Sequence, residues 1–393
     1  MVDQTFGYIG YFDRESCDLD EFKVLTSQQL EAAAVPHAAA IEKNVPLYDM
    51  EALRPALEDT EKRRVLMAEW AHVLRHSAGV IALKRAYADT TVIDRASDVF
   101  DAIIADEKAG AAGKGDHFAA SGANDRVWNS LQKQCLRDPE GFALYFGNTS
   151  IAAACEAWLG PNYQVTAQVN QVRPGGKAQS AHRDYHLGFQ TADQSARYPA
   201  HAHEVTATLT LQGAVAHCDM PLDSGPTKLL PFSQLYPAGY LGFHDADHRA
   251  YFEDAYIQVP LEKGDAVFFN PALFHAAGEN RSADINRMVN LLQVSSAFGR
   301  AMEAIDRFAM TGALFPALVA LKQGGRMTAS ELDAAIAACA EGYSFPTNLD
   351  TDPPVGGLAP ESQADLLRRA VQEGWTDDQL VQALSQMATR QAA

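Results

Sequence analysis

The sequence offers no cysteine pattern. Its five cysteines, Cys17, Cys135, Cys155, Cys218 and Cys339, are odd in number and scattered, with neither the CxxC spacing of a zinc site nor the pairing of a disulfide framework. Reduced thiols in a cytoplasmic protein are therefore the expectation. Long apolar runs are missing as well, since none approaches the roughly 20 residues that span a bilayer. The opening Met1-Val-Asp-Gln-Thr-Phe lacks the basic and apolar blocks of a signal peptide, so secretion by that route is not expected. Basic residues are in deficit, 32 against 50 acidic ones, which leaves a formal net charge of -18 at pH 7. That sign argues against a phosphate-backbone partner and against an anionic membrane surface, so neither nucleic acid nor membrane is an expected partner.

What is present suits a folded chain of some size. Hydrophobic residues make up 47% of the 393 positions, enough for a large core. Three compositional regions follow one another, with no internal repeat at a solenoid period. Residues 1–124 read as mostly helical: Val65, Leu66, Trp70, Val73 and Leu74 fall at three-to-four spacing on one helix face, while Pro36, Pro46 and Pro55 interrupt the preceding stretch. Ala111-Ala-Gly-Lys-Gly-Asp-His117 reads as a linker or an active-site loop, and Lys114 and His117 as members of a lid. Residues 125–300 begin with a helix over 150–159 and then turn to short β-prone runs: 163–172, ending at Pro174-Gly175-Gly176; 205–216; 266–269, after the turn Lys263-Gly-Asp; and 288–294. Several short strands with glycine-rich turns predict a β-sandwich or barrel. Residues 301–393 return to helix over 300–322, from Met327-Thr-Ala-Ser-Glu-Leu onward, and as a final pair over 362–387, with a loop at 350–360. The terminal regions are expected to pack on the β core, as a pocket wall or as a homo-oligomer interface.

The most informative stretch is Gln179-Ser-Ala-His182-Arg183-Asp184-Tyr185-His186. Side chains two apart on a strand share a face, so His182 and Asp184 converge on one point. A distal histidine completes a two-His-one-carboxylate set, which holds Fe(II) and leaves coordination positions open. His275, after the apolar run Ala266-Val-Phe-Phe and a short loop, is the candidate. Arg287 lies at the approach to the next strand, where a guanidinium grips a carboxylate in bidentate fashion. Arg281 is its rival. Asn170 and Gln171 precede the ligand strand, and one of them faces cosubstrate or substrate. Ser282 is a further cosubstrate contact, although Asn280 and Ser282 also suit loop capping.

These residues carry a resemblance to the phytanoyl-CoA dioxygenase family of Fe(II)/2-oxoglutarate oxygenases, covering about Gln164 to Gln293. The run His275-x-x-x-x-Asn280-x-Ser282-x-x-x-x-Arg287 and the run Gly-Pro-Thr-x-x-x-Pro-x-Ser from Gly225 to Ser233 strengthen it. There are departures: Asp-Ser-Gly-Pro-Thr stands where Asn-Gly is commoner, and Pro231-Phe-Ser-Gln234 where Pro-Gly-Ser-His is usual. Neither touches a ligand. The resemblance implies a double-stranded β-helix (jelly roll, cupin-like) with flanking helical regions. It implies His182, Asp184 and His275 as iron ligands and catalytic centre, with Arg287 as the anchor of 2-oxoglutarate. The expected reaction, with O₂, is hydroxylation of an unactivated C–H bond in a small organic molecule with release of succinate and CO₂. Desaturation, cyclisation or C–P/C–N cleavage with the same metal and cosubstrate stay open, as does a non-catalytic metal-binding β-helix.

Other polar clusters carry blander readings. His186 lines the substrate pocket, orients a ligand or simply packs. His201 and His203 read as a solvated loop, and His217, Cys218 and Asp219 as a strand end. His244, Asp245, Asp247 and His248 read as a polar surface segment.

Overall fold

The computed structural model describes residues 10–110, 124–345, 348–354 and 359–392. Ten strands form among them: β1 (Ala40–Glu42), β2 (Val45–Asp49), β3 (Val80–Lys84), β4 (Asn124–Val127), β5 (Gln164–Val172), β6 (Thr210–Ala216), β7 (Lys228–Leu229), β8 (Ala266–Phe269), β9 (His275–Ala276) and β10 (Arg287–Ser295). Eight make one sheet in the order β1-β2-β3-β8-β6-β10-β5-β4, and β7 pairs with β9 in a second. Single antiparallel bridges extend the smaller sheet, Ile257 to Leu229 on one side and His182 to His275 on the other.

From β5 onward the chain alternates between the two sheets. It passes from β5 to the extended residue His182, back to β6, across to β7 and Ile257, back to β8, across to β9, and home to β10. Within the large sheet this gives β8-β6-β10-β5, and within the small one Ile257, β7, β9, His182. That winding resembles the connectivity of a double-stranded β-helix.

The chain divides into two compact units. Of the described residues, 10–88, 124–126 and 170–292 belong to the first, and 89–110, 127–169 and 293–392 to the second. The division falls within β5 and β10. The expected blocks 1–124 and 125–300 each hold residues of both units, while 301–393 lies within the second. The N-terminal region is also less helical than expected, because β1, β2 and β3 join the large sheet. Val45-Pro-Leu-Tyr48 and Val80-Ile-Ala-Leu83 are fully buried four-residue runs, and so short an apolar run carries no period that separates strand from helix.

Other expectations meet the structure closely. The helix Thr60–His76 opens on Asp59, whose side chain accepts from the backbone N–H of Glu61 and Lys62, and it buries Leu66, Trp70, Val73 and Leu74. Val65, placed on that face by spacing, is 55% exposed instead. The run 205–216 is a strand only from Thr210. Before it lies the helix Ala200–Thr208, which Pro199 precedes, although its β-branched Val205 and Thr206 favour a strand by propensity. Residues 111–117, with Lys114 and His117, lie outside the described residues.

The second unit is built of helices. Arg307–Gln323 packs on Ser130–Arg137, Pro139–Phe146 and Ala329–Cys339. Its buried Arg307 donates to the carbonyls of Cys339 at 2.9 Å and Val165 at 3.1 Å, which neutralises a helix end with a charged donor. Ala329–Cys339 begins where Met327-Thr-Ala-Ser-Glu predicts. Thr328 Oγ1 accepts from Glu331 N at 3.2 Å, and Glu331 Oε2 accepts from Thr328 N at 2.7 Å. Thr328→Ala is expected to cost about 1 kcal/mol, read as a lowered urea midpoint at an unchanged slope.

Candidate metal centre

His182, Asp184 and His275 meet inside the first unit, and among the described residues they form the single group of three or more His, Cys, Asp or Glu able to hold one metal ion. Their ligand atoms all lie within 4.8 Å of one another. The meeting is built by backbone: His182 N donates to His275 O at 3.0 Å and His275 N to His182 O at 3.2 Å, so the two histidines face each other across a bridge. Asp184 N then donates to Pro271 O at 3.0 Å, which ties the third ligand to the same loop. The imidazole centroids are 4.4 Å apart.

Each histidine is prepared in the same way. His182 Nδ1 lies 2.9 Å from Ser180 O, and His275 Nδ1 lies 2.8 Å from Leu273 O. A carbonyl only accepts, so each Nδ1 carries the proton and each Nε2 presents a lone pair. Both Nε2 atoms turn to Asp184: His275 Nε2 is 3.2 Å from Oδ2, and His182 Nε2 is 3.7 Å from Oδ1. Burial, then the neighbouring His275, pushes the His182 imidazole below its ordinary range and keeps it a neutral donor. Burial alone pushes the Asp184 carboxyl up. The His182 and His275 imidazoles and the Gln212 amide outweigh it and hold the group well below the usual carboxylate range. Two imidazoles and one carboxylate, with no fourth ligand among the described residues, are the donor set of a site that keeps positions open.

Arg287 opens β10 and is 4% exposed. One guanidinium nitrogen donates to Ser224 O at 3.0 Å and Gly278 O at 3.2 Å, while no acidic side chain pairs with it among the described residues. Burial pushes it down to about 10, so it stays cationic at neutral pH. A buried cation pinned by two carbonyls and lacking a carboxylate suits an anionic cosubstrate. Its rival Arg281 is exposed. Asn170 is buried on β5, next to β10 in the sheet, with its Oδ1 accepting from nothing among the described residues. Ser282 is used locally: its hydroxyl donates to Asn280 Oδ1 at 2.6 Å, and Asn280 Nδ2 donates to Val172 O and Ile285 O.

The extended segment carrying His182 and Asp184 ends sooner than strand alternation predicts. Tyr185 and His186 take φ of +64° and +44°, and a 3₁₀ turn over His186–Phe189 follows. His186 therefore does not return to the ligand face by strand alternation; its Nδ1 meets Thr206 Oγ1 at 2.8 Å. Arg183 is buried, donating to Ser233 O at 2.6 Å and Tyr236 O at 3.0 Å and lying over the rings of Tyr240 and Phe274.

The remaining polar clusters are structural. His203 is buried in the helix Ala200–Thr208, with Nε2 3.0 Å from Ser195 O, and is no part of a solvated loop. The segment 244–248 is not all surface. Asp245 caps the helix Ala246–Ala255, and His248 is buried beneath it. His217 is buried, its backbone N–H donating to Met288 O. The residue that sequence reasoning misses entirely is Gln212 on β6, whose Nε2 donates to Asp184 Oδ2 at 2.5 Å. Its sequence signal is a lone amide within the run Thr210-Leu-Gln-Gly-Ala-Val-Ala.

A family model described as Phytanoyl-CoA dioxygenase (PhyH) matches residues 57–289, well over half of the chain. Over 139 residues the chain is 27% identical to "Dioxygenase trt7" of Aspergillus terreus (35% of this chain, 43% of that protein) and 30% identical to "Dioxygenase cdmD" of Talaromyces verruculosus (34% and 41%). The matched stretch thus spans less than half the length of either relative. Among solved structures, a non-heme alpha ketoglutarate dependent carbocyclase, SnoK from nogalamycin biosynthesis, aligns at 21% identity and a TM-score of 0.43, covering 58% of this chain and 83% of that one.

Proposed function

The chain belongs to the phytanoyl-CoA dioxygenase family, and from that premise we propose an Fe(II)/2-oxoglutarate-dependent dioxygenase that oxidises a C–H bond of a small organic molecule, with release of succinate and CO₂. The observation that carries the reading is the convergence of His182 Nε2, His275 Nε2 and the Asp184 carboxylate, with both Nδ1 protons committed to backbone carbonyls.

Fe(II) and 2-oxoglutarate, bound together, supply the activation of O₂ and the cleavage of the C–H bond. The rest is the work of the chain. His182 Nε2, His275 Nε2 and the Asp184 carboxylate would hold the metal. Arg287 binds the far carboxylate of 2-oxoglutarate, and its own two carbonyl contacts fix the direction of approach. Asn170 Oδ1 and Ser282 are the polar groups proposed to complete that end of the site. No side chain is needed as a general base, so His186 and His217 take no catalytic part. His275 is buried, while His182 and Asp184 are partly exposed.

Hydroxylation, desaturation, ring closure and C–P or C–N cleavage share the initial C–H step and differ in how the substrate is placed afterwards. The same four residues serve each of them. A neutral or weakly polar substrate is favoured over a nucleic acid or polyanion by the net charge of -18. Among the described residues, no helix is long and apolar enough to cross a membrane. The five unpaired thiols suit the reducing cytoplasm.

The test is O₂ uptake and succinate formation by the Fe(II)-loaded protein across a panel of small molecules. A substrate is expected to couple both signals and to return as a product changed by one oxygen, or short of two hydrogens. Absence of 2-oxoglutarate-dependent O₂ uptake with every member, together with no succinate, overturns the proposal in favour of a metal-binding β-helix without turnover.

A further inference from the structure

Gln212 stands on β6 with the two ends of its carboxamide in different circumstances. Nε2 donates to Asp184 Oδ2 at 2.5 Å, while Oε1 is buried and accepts from nothing among the described residues. An ionised carboxylate has only acceptors to offer, so the amide NH₂ is the end that faces it. The oxygen so engaged is the one 3.2 Å from His275 Nε2, and the opposite oxygen faces His182.

The strand pairing beneath makes this contact rigid. Gln212 lies directly across from Phe269 in the β6–β8 ladder. Phe269 packs against the His275 ring at 4.8 Å between centroids. One cross-strand pair thus touches two of the three ligands, Gln212 by a hydrogen bond and Phe269 by a tilted ring contact. The register has little slack, because a Cβ at the neighbouring Gly213 would meet the Phe268 ring at 2.5 Å.

We propose that Gln212 is the positioning residue of the metal centre: by holding Oδ2 it fixes the rotation of the Asp184 carboxylate, so that the group gives the metal one oxygen and does not chelate through both. This rests on reading His182, Asp184 and His275 as the metal site. The consequence matters for the chemistry. Chelation by both oxygens consumes one of the three positions that 2-oxoglutarate and O₂ require. The unpartnered Oε1 adds an acceptor for a donor that the described residues do not themselves supply.

The experiment uses Co(II) as the probe, titrated into the metal-free full chain and followed by visible absorption. Gln212→Met keeps roughly the same volume but has neither amide donor nor acceptor, and Gln212→Asn, a methylene shorter, falls short of Asp184 if the first variant does not fold. Loss of an outer hydrogen bond to a metal ligand is expected to weaken Co(II) binding roughly 10- to 100-fold. The freed carboxylate is also expected to raise the coordination number, which weakens and shifts the d–d bands. Wild-type affinity with a wild-type spectrum overturns the proposal. Weaker binding with an unchanged spectrum also overturns it, since that is the mark of a structural contact alone. Failure of the wild-type chain to bind Co(II) at all removes the metal site itself, and this inference falls with it.

Discussion

Asp184→Ala is expected to abolish metal-dependent turnover and to lower Fe(II) affinity by more than the roughly 100-fold that loss of an outer partner costs. Asp184 is the sole anionic ligand. Without it, two imidazoles face a divalent cation in a half-buried site with no charge compensation. The variant should still fold. The His182–His275 bridge is made by backbone N–H and C=O groups, which an alanine at 184 leaves in place. Isothermal titration with a divalent metal, together with a melting curve of the metal-free protein, checks both halves. A variant that binds metal like the wild type would remove Asp184 from the ligand set.

Arg287→Ala is expected to act on a different step. A hydrogen bond to a charged group contributes about 1.5–3 kcal/mol, so 2-oxoglutarate affinity should fall roughly 10- to 150-fold while metal affinity stays near wild type. Arg287→Lys keeps the charge but not the planar fork, and its loss should lie between the two. Stability separates this from a packing defect. The buried guanidinium satisfies Ser224 O and Gly278 O but is itself an uncompensated charge. Its removal therefore trades two lost donors against one relieved desolvation, with a small net change in the melting temperature of the metal-free protein. The rise in melting temperature that 2-oxoglutarate gives the metal-loaded wild type should shrink or vanish in the variant.

The three candidate ligands are suggested by type and spacing, and the family resemblance supports His275 and adds Arg287 to the set. His182 and Asp184 are two apart in an extended segment, and His275 follows a strand that brings it back to them. The resemblance favours Arg287 over Arg281, and the two differ in burial. Gln212 is not legible, because its role is a side-chain contact between a strand of the large sheet and the ligand segment, and a contact between residues 28 apart leaves no local trace. His186 misleads for a related reason. Strand alternation carried past Asp184 puts it on the ligand side, but Tyr185 and His186 both enter the left-handed region and turn the chain.

The fold is legible in its later half and less so at the start. The turn Lys263-Gly-Asp marks β8, the run 288–294 falls within β10, and the capping pattern at Thr328 locates a helix to the residue. β2 and β3 escape because a strand buried on both faces loses the alternation that identifies it. The departure from the family's glycine at position 232 has a physical counterpart. Phe232 takes φ +68°, where glycine is unstrained, and its ring is 3% exposed, so buried aromatic surface offsets the strain.

The most direct test of the central claim is anaerobic. Fe(II) and then 2-oxoglutarate are added to the metal-free full chain while the visible spectrum is recorded. A weak charge-transfer band that needs both additions, and that Asp184→Ala does not give, is the predicted result. A spectrum unchanged by 2-oxoglutarate in the presence of Fe(II) would contradict it, since the cosubstrate would then not be chelating a metal held by His182, Asp184 and His275.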